Sequence, residues 1–175
     1  MKQCLAVFAM LIAAGGCSTS AVPTDNTVGV AELRLADGRP AGTASLVATG
    51  DTLALDVAVS GVPAGTRGFH LHTVGQCTPP DFESAGGHLN PSGNQHGSGN
   101  PAGPHLGDLP NIRIESAGVT RTRFPLTGTR AELLSEIFDA DGTSVMIHAQ
   151  QDDYVTDPTG NAGGRIVCGV MRRVG

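Results

Sequence analysis

Two histidines separated by one residue, His70 and His72 in Phe69-His70-Leu71-His72, are the first residues in the chain with an evident chemistry. Side chains alternate along a β-strand, so residues i and i+2 face the same side and both rings can serve one metal ion. His88, His96, His105 and Asp108 follow, and His148 stands apart in Val145-Met146-Ile147-His148. The chain has six histidines and all six belong to this set. Four imidazoles at His70, His72, His88 and His148 suit Cu(II) in a tetragonal arrangement. Three imidazoles and a carboxylate at His88, His96, His105 and Asp108 make a closed tetrahedral set suited to zinc. His88 falls in both. A deprotonated imidazole has two ring nitrogens and can bind one metal through each.

Short strands must carry these residues. Val28–Leu35 alternates, Asp37-Gly38 is a hairpin turn, and Gly42–Thr49 returns. Leu53, Leu55, Val57 and Val59 alternate through a third strand; Gly61–Gly65 turns, and Gly68–Thr73 carries the histidine pair. Asn111–Glu115, Val119–Leu126, Thr143–His148 and Arg165–Met171 read as four more strands, and Ala131–Ile137 as a short helical turn. Residues 74–110 show no periodicity and are rich in Gly, Pro, Asn and Ser; a second long loop spans Ala149–Gly164. A loop of that length in a compact domain is functional or disordered, and a metal can supply the order its sequence lacks. The expected fold is therefore all-β: an eight-stranded antiparallel sandwich or barrel with two long functional loops and one domain over 28–175.

Trp is absent and Gly is abundant, which suits strands, turns and loops. No basic run supports nucleic-acid binding. At the N-terminus, Lys2, the apolar Leu5–Ala14 and the small residues Ala14-Gly15-Gly16 before Cys17 resemble a bacterial lipoprotein signal. Residues 1–16 are then a signal peptide, Cys17 takes the lipid, and residues 17–27 tether the domain to a membrane; an ordinary secretory signal is the alternative, and both export the chain to the envelope or periplasm. Without the leader, no lysine remains, and ten arginines face sixteen acidic residues. Cys77 and Cys168 are left as either a bridged pair or two buried thiols. A bridge closing a loop of this size stabilises by roughly 4–5 kcal/mol in the chain-entropy treatment.

The segments Gly68-Phe69-His70-Leu71-His72, Ala85-Gly86-Gly87-His88-Leu89-Asn90-Pro91, His105-Leu106-Gly107-Asp108-Leu109 and Gly160-Asn161-Ala162-Gly163-Gly164-Arg165-Ile166-Val167-Cys168-Gly169-Val170 resemble the copper/zinc superoxide dismutases, over about residues 28–173. The resemblance implies a Greek-key barrel with one copper and one zinc per subunit. It implies copper ligands His70, His72, His88 and His148, and zinc ligands His88, His96, His105 and Asp108, with His88 as the bridge. It further implies a Cys77–Cys168 disulfide, an Asp152 carboxylate linking His70 to His96, and Arg165 beside the copper.

Dismutation of superoxide to O₂ and H₂O₂ in the cell envelope is the implied activity, with His88 and Arg165 as catalytic residues. The chain departs from many eukaryotic members in lacking a lysine in Asp152–Pro158. A non-catalytic envelope copper/zinc-binding protein is the alternative; it predicts a lost copper ligand or a lost arginine, and neither is missing. Monomer and homodimer are both compatible with the strand faces.

Overall fold

The computed structural model describes residues 26–174. The leader, Cys17 and the tether as far as residue 25 lie outside the described residues. The alternating segments form β1 (Asn26–Leu35), β2 (Pro40–Thr49), β3 (Thr52–Val59), β4 (Gly65–His72), β5 (Asp108–Ile114), β6 (Thr120–Pro125), β7 (Ser144–His148) and β8 (Arg165–Val170), with a two-residue β9 (Arg172–Arg173) beside β1. Every pairing is antiparallel, and the sheet order is β5-β4-β7-β8-β1-β2-β3-β6. Its two ends, β5 and β6, are consecutive in the chain, and the turn between them is held by the Glu115 N–H donating to Thr120 Oγ1 at 2.9 Å. The sheet thus curls into a nearly closed eight-stranded barrel, and the crossings β3→β4 and β6→β7 make it a Greek key.

Inward side chains fill the barrel, among them Leu33, Leu46, Leu55, Phe69, Ile112 and Ile147, all at most 1% exposed. Each such side chain contributes about 1.5–3 kcal/mol when fully buried. On the β6–β7 connection lies α1 (Arg130–Ile137), started by a capping box between Thr129 and Glu132 and seated on the core through Leu133 and Ile137.

Alternation along β4 sends Phe69 and Leu71 into the core and leaves His70 and His72 on the outer face. Register then aligns chemistry across four strands. Asp108 opposes His70, His70 opposes Met146, and Met146 opposes Cys168. One row of the outer face therefore carries a zinc-set carboxylate, a copper-set imidazole and a disulfide cysteine. His148 ends β7 opposite Arg165, after a bulge between Ile147 and His148.

Several strand bounds differ from expectation. The strand expected at 111–115 starts at Asp108 and runs through Pro110. Proline is tolerated there because β5 ends the sheet order and needs no second partner. The histidine strand starts at Gly65 rather than Gly68, because a bulge between Arg67 and Phe69 keeps the earlier residues paired. The last strand stops at Val170; the Met171 N–H turns to the Thr143 carbonyl at 2.9 Å, and Arg172–Arg173 pair with β1 instead. At the other end, Asn26 and Thr27 already pair with β2.

Candidate metal centre

The two long loops fold back over the outer face of β4 and β7. Backbone bonds anchor the first: Leu71 N–H to the Gly107 carbonyl at 2.9 Å, and Leu89 N–H to the Leu71 carbonyl at 2.8 Å. Gly107 has to be glycine, since a Cβ there would overlap the Leu71 carbonyl. The Cys77–Cys168 disulfide ties the same loop to β8. The bridged alternative for the two cysteines is therefore the one realised.

All six histidines are buried beneath these loops. His72 Nδ1 donates to the Gly86 carbonyl at 2.9 Å, and His148 Nδ1 to the Gly163 carbonyl at 3.1 Å. A carbonyl only accepts, so each Nδ1 carries the proton and each Nε2 keeps its lone pair. His70 is turned the other way, its Nε2 donating to Asp152 Oδ2 at 2.6 Å. Its lone pair is then on Nδ1. The atoms left buried without a partner include His70 Nδ1, His72 Nε2, His148 Nε2 and His88 Nε2. These four lie within 4.8 Å of one another. Four orphaned lone pairs in one buried spot cost several kcal/mol in total unless a cation accepts them. This donor set fits copper.

The second set is built around Asp108. Its Oδ1 lies 2.8 Å from His88 Nδ1, 3.0 Å from His96 Nδ1 and 3.2 Å from His105 Nδ1. Its Oδ2 accepts the backbone N–H groups of Gly97 and His105 at 2.8 and 3.0 Å. Ligand atoms of a tetrahedral zinc stand about 3.3 Å apart, given bonds near 2.0 Å. His96 shows why a cation belongs there. Its Nε2 faces Asp152 Oδ1 at 3.1 Å while its Nδ1 faces Asp108 Oδ1. A neutral imidazole has one N–H, so one of these carboxylates meets a lone pair unless a second proton or a metal ion lies between ring and carboxylate. His88 joins the two sets, Nδ1 in one and Nε2 in the other.

Burial lowers the His72 pKa to about 2, helped by the charge on His88, and that of His148 to about 3. Burial also takes His88 to about 4, against the opposing pull of Asp108. Burial alone would raise the Asp108 and Asp152 carboxyls, but hydrogen bonds from His88 and Gly97 to the first, and from His70, His96 and Tyr154 to the second, hold both below the usual range. Neutral rings and ionised carboxylates are the forms metals bind.

Arg165 lies at the rim, its side chain 14% exposed. Nη1 donates to the Phe82 carbonyl at 2.7 Å and Nη2 to the Gly86 carbonyl at 2.8 Å. It lines a cavity of about 480 Å³ with His72, His88, His148 and Thr159. The ligands and Asp152 named from the sequence therefore come together in one buried cluster with Arg165 at its rim, and the two cysteines pair with each other. Sequence reasoning missed the carbonyls of Phe82, Gly86 and Gly163, which no side-chain pattern announces. It also missed Asp157, whose Oδ1 accepts the His96 N–H at 2.6 Å.

A family model described as copper/zinc superoxide dismutase (SODC) matches residues 40–171. The chain is 41% identical over 145 residues to the Cu-Zn superoxide dismutase 2 of Aquifex aeolicus, covering 81% of this chain and 85% of that protein. Its identity to the Cu-Zn superoxide dismutase of Caulobacter vibrioides is 35% over 146 residues, covering 81% and 84%. A solved SOD-like protein from Bacillus subtilis superposes with a TM-score of 0.72 at 36% identity, covering 81% of this chain and 96% of that one. Sequence and fold agree over the stretch that builds both ligand sets, and the chain belongs to the copper/zinc superoxide dismutase family.

Proposed function

We propose that this superoxide dismutase works in the cell envelope, exported and tethered by a lipid on Cys17, and that Arg165 docks the substrate anion. Bound copper supplies the electron chemistry, by which two superoxide ions and two protons become O₂ and H₂O₂, while zinc supplies shape alone. The protein supplies placement, protons and access. His88 keeps Nδ1 in the zinc set, so its ring stays placed when Nε2 holds a proton. His88 lines the substrate cavity, so a proton held on Nε2 has reduced oxygen as its nearest acceptor. Asp152 holds His70 and His96 by the nitrogens that face away from the metals.

Arg165 presents a fixed positive charge at the cavity rim, with two carbonyls restraining its guanidinium. Acidic residues outnumber basic ones over the whole chain. Attraction of an anion therefore rests on the local field of the cleft, which its low-dielectric walls focus. Export is supported by Lys2, the apolar Leu5–Ala14 and the small residues before Cys17. The Cys77–Cys168 bridge fits an oxidising compartment.

The observation that carries the catalytic reading is the convergence of four lone-pair nitrogens beside Arg165, one of them on a ring shared with the second set. Metal analysis with an assay of cyanide-sensitive superoxide removal tests it. One copper and one zinc per chain with turnover is expected, and His88→Ala should alter the copper spin-resonance spectrum, which reports the nitrogens around copper, while retaining some copper. Stoichiometric metal without turnover would support a metal buffer instead. Mass analysis of the mature N-terminus tests the lipid.

A further inference from the structure

Asp152 faces both halves of the metal centre, yet it lies in the irregular 149–164 loop, where no sheet fixes its direction. Its placement comes from two other residues. The Asn111 side-chain amide pairs with the peptide groups of Asp152: the Asp152 N–H donates to Asn111 Oδ1, and Asn111 Nδ2 donates to the Asp152 carbonyl, both at 2.9 Å. The backbone N–H of Asn111 donates to the Tyr154 hydroxyl at 2.8 Å. The Tyr154 N–H in turn donates to Asp152 Oδ1 at 2.6 Å. The three residues close a ring of hydrogen bonds.

Tyr154 has a left-handed backbone, φ 65°, which a non-glycine residue holds only under constraint. Its carbonyl also accepts the Gly99 N–H at 2.9 Å, joining the loop that carries His96. Asn111 sits on β5, the strand that Asp108 opens. The ring therefore locks the Asp152 loop to the strand and the loop that supply zinc ligands.

We propose that Asn111 and Tyr154 are positioning residues for the metal centre. Their ring aims the Asp152 carboxylate at His70 Nε2 and His96 Nε2, and so keeps Nδ1 of both imidazoles turned toward the metals. A carboxylate fixes tautomer and ring orientation only when it is itself held. The inference rests on the two-metal reading of the site.

The test compares wild type with Tyr154→Phe, which deletes one hydroxyl, with Asn111→Ala, and with the double variant. Zinc affinity is read by competition with a chromophoric chelator, copper geometry by the spin-resonance spectrum of the loaded protein, and bare stability by melting of the metal-free protein. Zinc binding should weaken about tenfold in Asn111→Ala and about threefold in Tyr154→Phe, with an altered copper spectrum in both. The double variant should be no worse than Asn111→Ala, because both changes act through Asp152. Lowered melting with unchanged zinc affinity and copper spectrum would mean a purely structural role and overturn the proposal, as would full additivity. Should Asn111→Ala not fold, Tyr154→Phe alone decides. A wild type that binds neither metal sinks the two-metal reading; a wild type that binds both, with variants equal to it, sinks only this inference.

Discussion

His72 and Arg165 hang from one oxygen atom. The Gly86 carbonyl accepts His72 Nδ1 at 2.9 Å and Arg165 Nη2 at 2.8 Å. A copper ligand and the cation at the cavity rim are thereby fixed to each other through a backbone group. That group sits in the segment the Cys77–Cys168 disulfide ties to β8. The same carbonyl sets the His72 tautomer, so a metal-binding ring and the anion-docking role proposed for Arg165 share a support.

Replacing Arg165 tests the docking role. Arg165→Glu should lower kcat/KM at least tenfold at low ionic strength, the lower end of what electrostatic steering supplies. Its salt dependence should also invert, since screening then relieves repulsion. Stopped-flow superoxide decay across a salt series measures both. Identical curves for variant and wild type would remove Arg165 from the mechanism.

Glu83 works against that cation. Its carboxylate lies 3.7 Å from Arg165 Nη2, and its side chain is 74% exposed. Solvent screens such a pair strongly, so the effect is small. Glu83→Gln should raise kcat/KM about twofold at low salt, and the gain should vanish near 1 M salt, where the screening length falls to about 3 Å. A gain that persists in high salt points to a change of shape rather than of charge.

Asp152→Asn keeps the side chain's size but leaves one acceptor oxygen for two imidazoles. Zinc affinity should fall about 10- to 100-fold, the range for losing a carboxylate that orients a metal-binding histidine. Chelator competition reads this directly, and unchanged affinity would show that His96 is held by its surroundings alone.

Acid should unfold the metal-free protein from an unusually high pH. His72, His88 and His148 have folded pKa values of about 2, 4 and 3, lowered chiefly by burial. An unfolded histidine titrates near about 6.5. Below that pH the unfolded chain takes up protons that the folded chain refuses, so stability falls as pH drops toward the folded values. The depressed carboxyls of Asp108 and Asp152 add a loss of the same sign below about pH 4. The melting temperature of the metal-free protein should be flat above pH 7, decline from about 6.5 and steepen below 4. In the loaded protein the decline should start lower, because bound metal competes with protons. A flat profile from pH 7 to 4.5 in the metal-free protein would contradict the burial of these rings.

Period-two alternation is a local property, and so the strands could be read from the chain alone. Phe69 and Leu71 against His70 and His72 already state which side of β4 faces the core and which faces chemistry. That histidines and a carboxylate bind metal followed from residue type; their division into two sets sharing His88 is what the resemblance to the copper/zinc superoxide dismutases implies. Tertiary structure decided what depends on backbone atoms brought together across long stretches of chain. β5 runs back through Pro110 to Asp108, and only its place at the end of the sheet order allows a proline there. The tautomers of His72 and His148 were set by the carbonyls of Gly86 and Gly163, and the direction of Arg165 by those of Phe82 and Gly86. Every residue carries a carbonyl, so residue type gives no hint of which ones will be used. The ring of Asn111, Asp152 and Tyr154 has the same origin: an asparagine amide, a peptide and a phenol meet only because folding brings β5 and the 149–164 loop together.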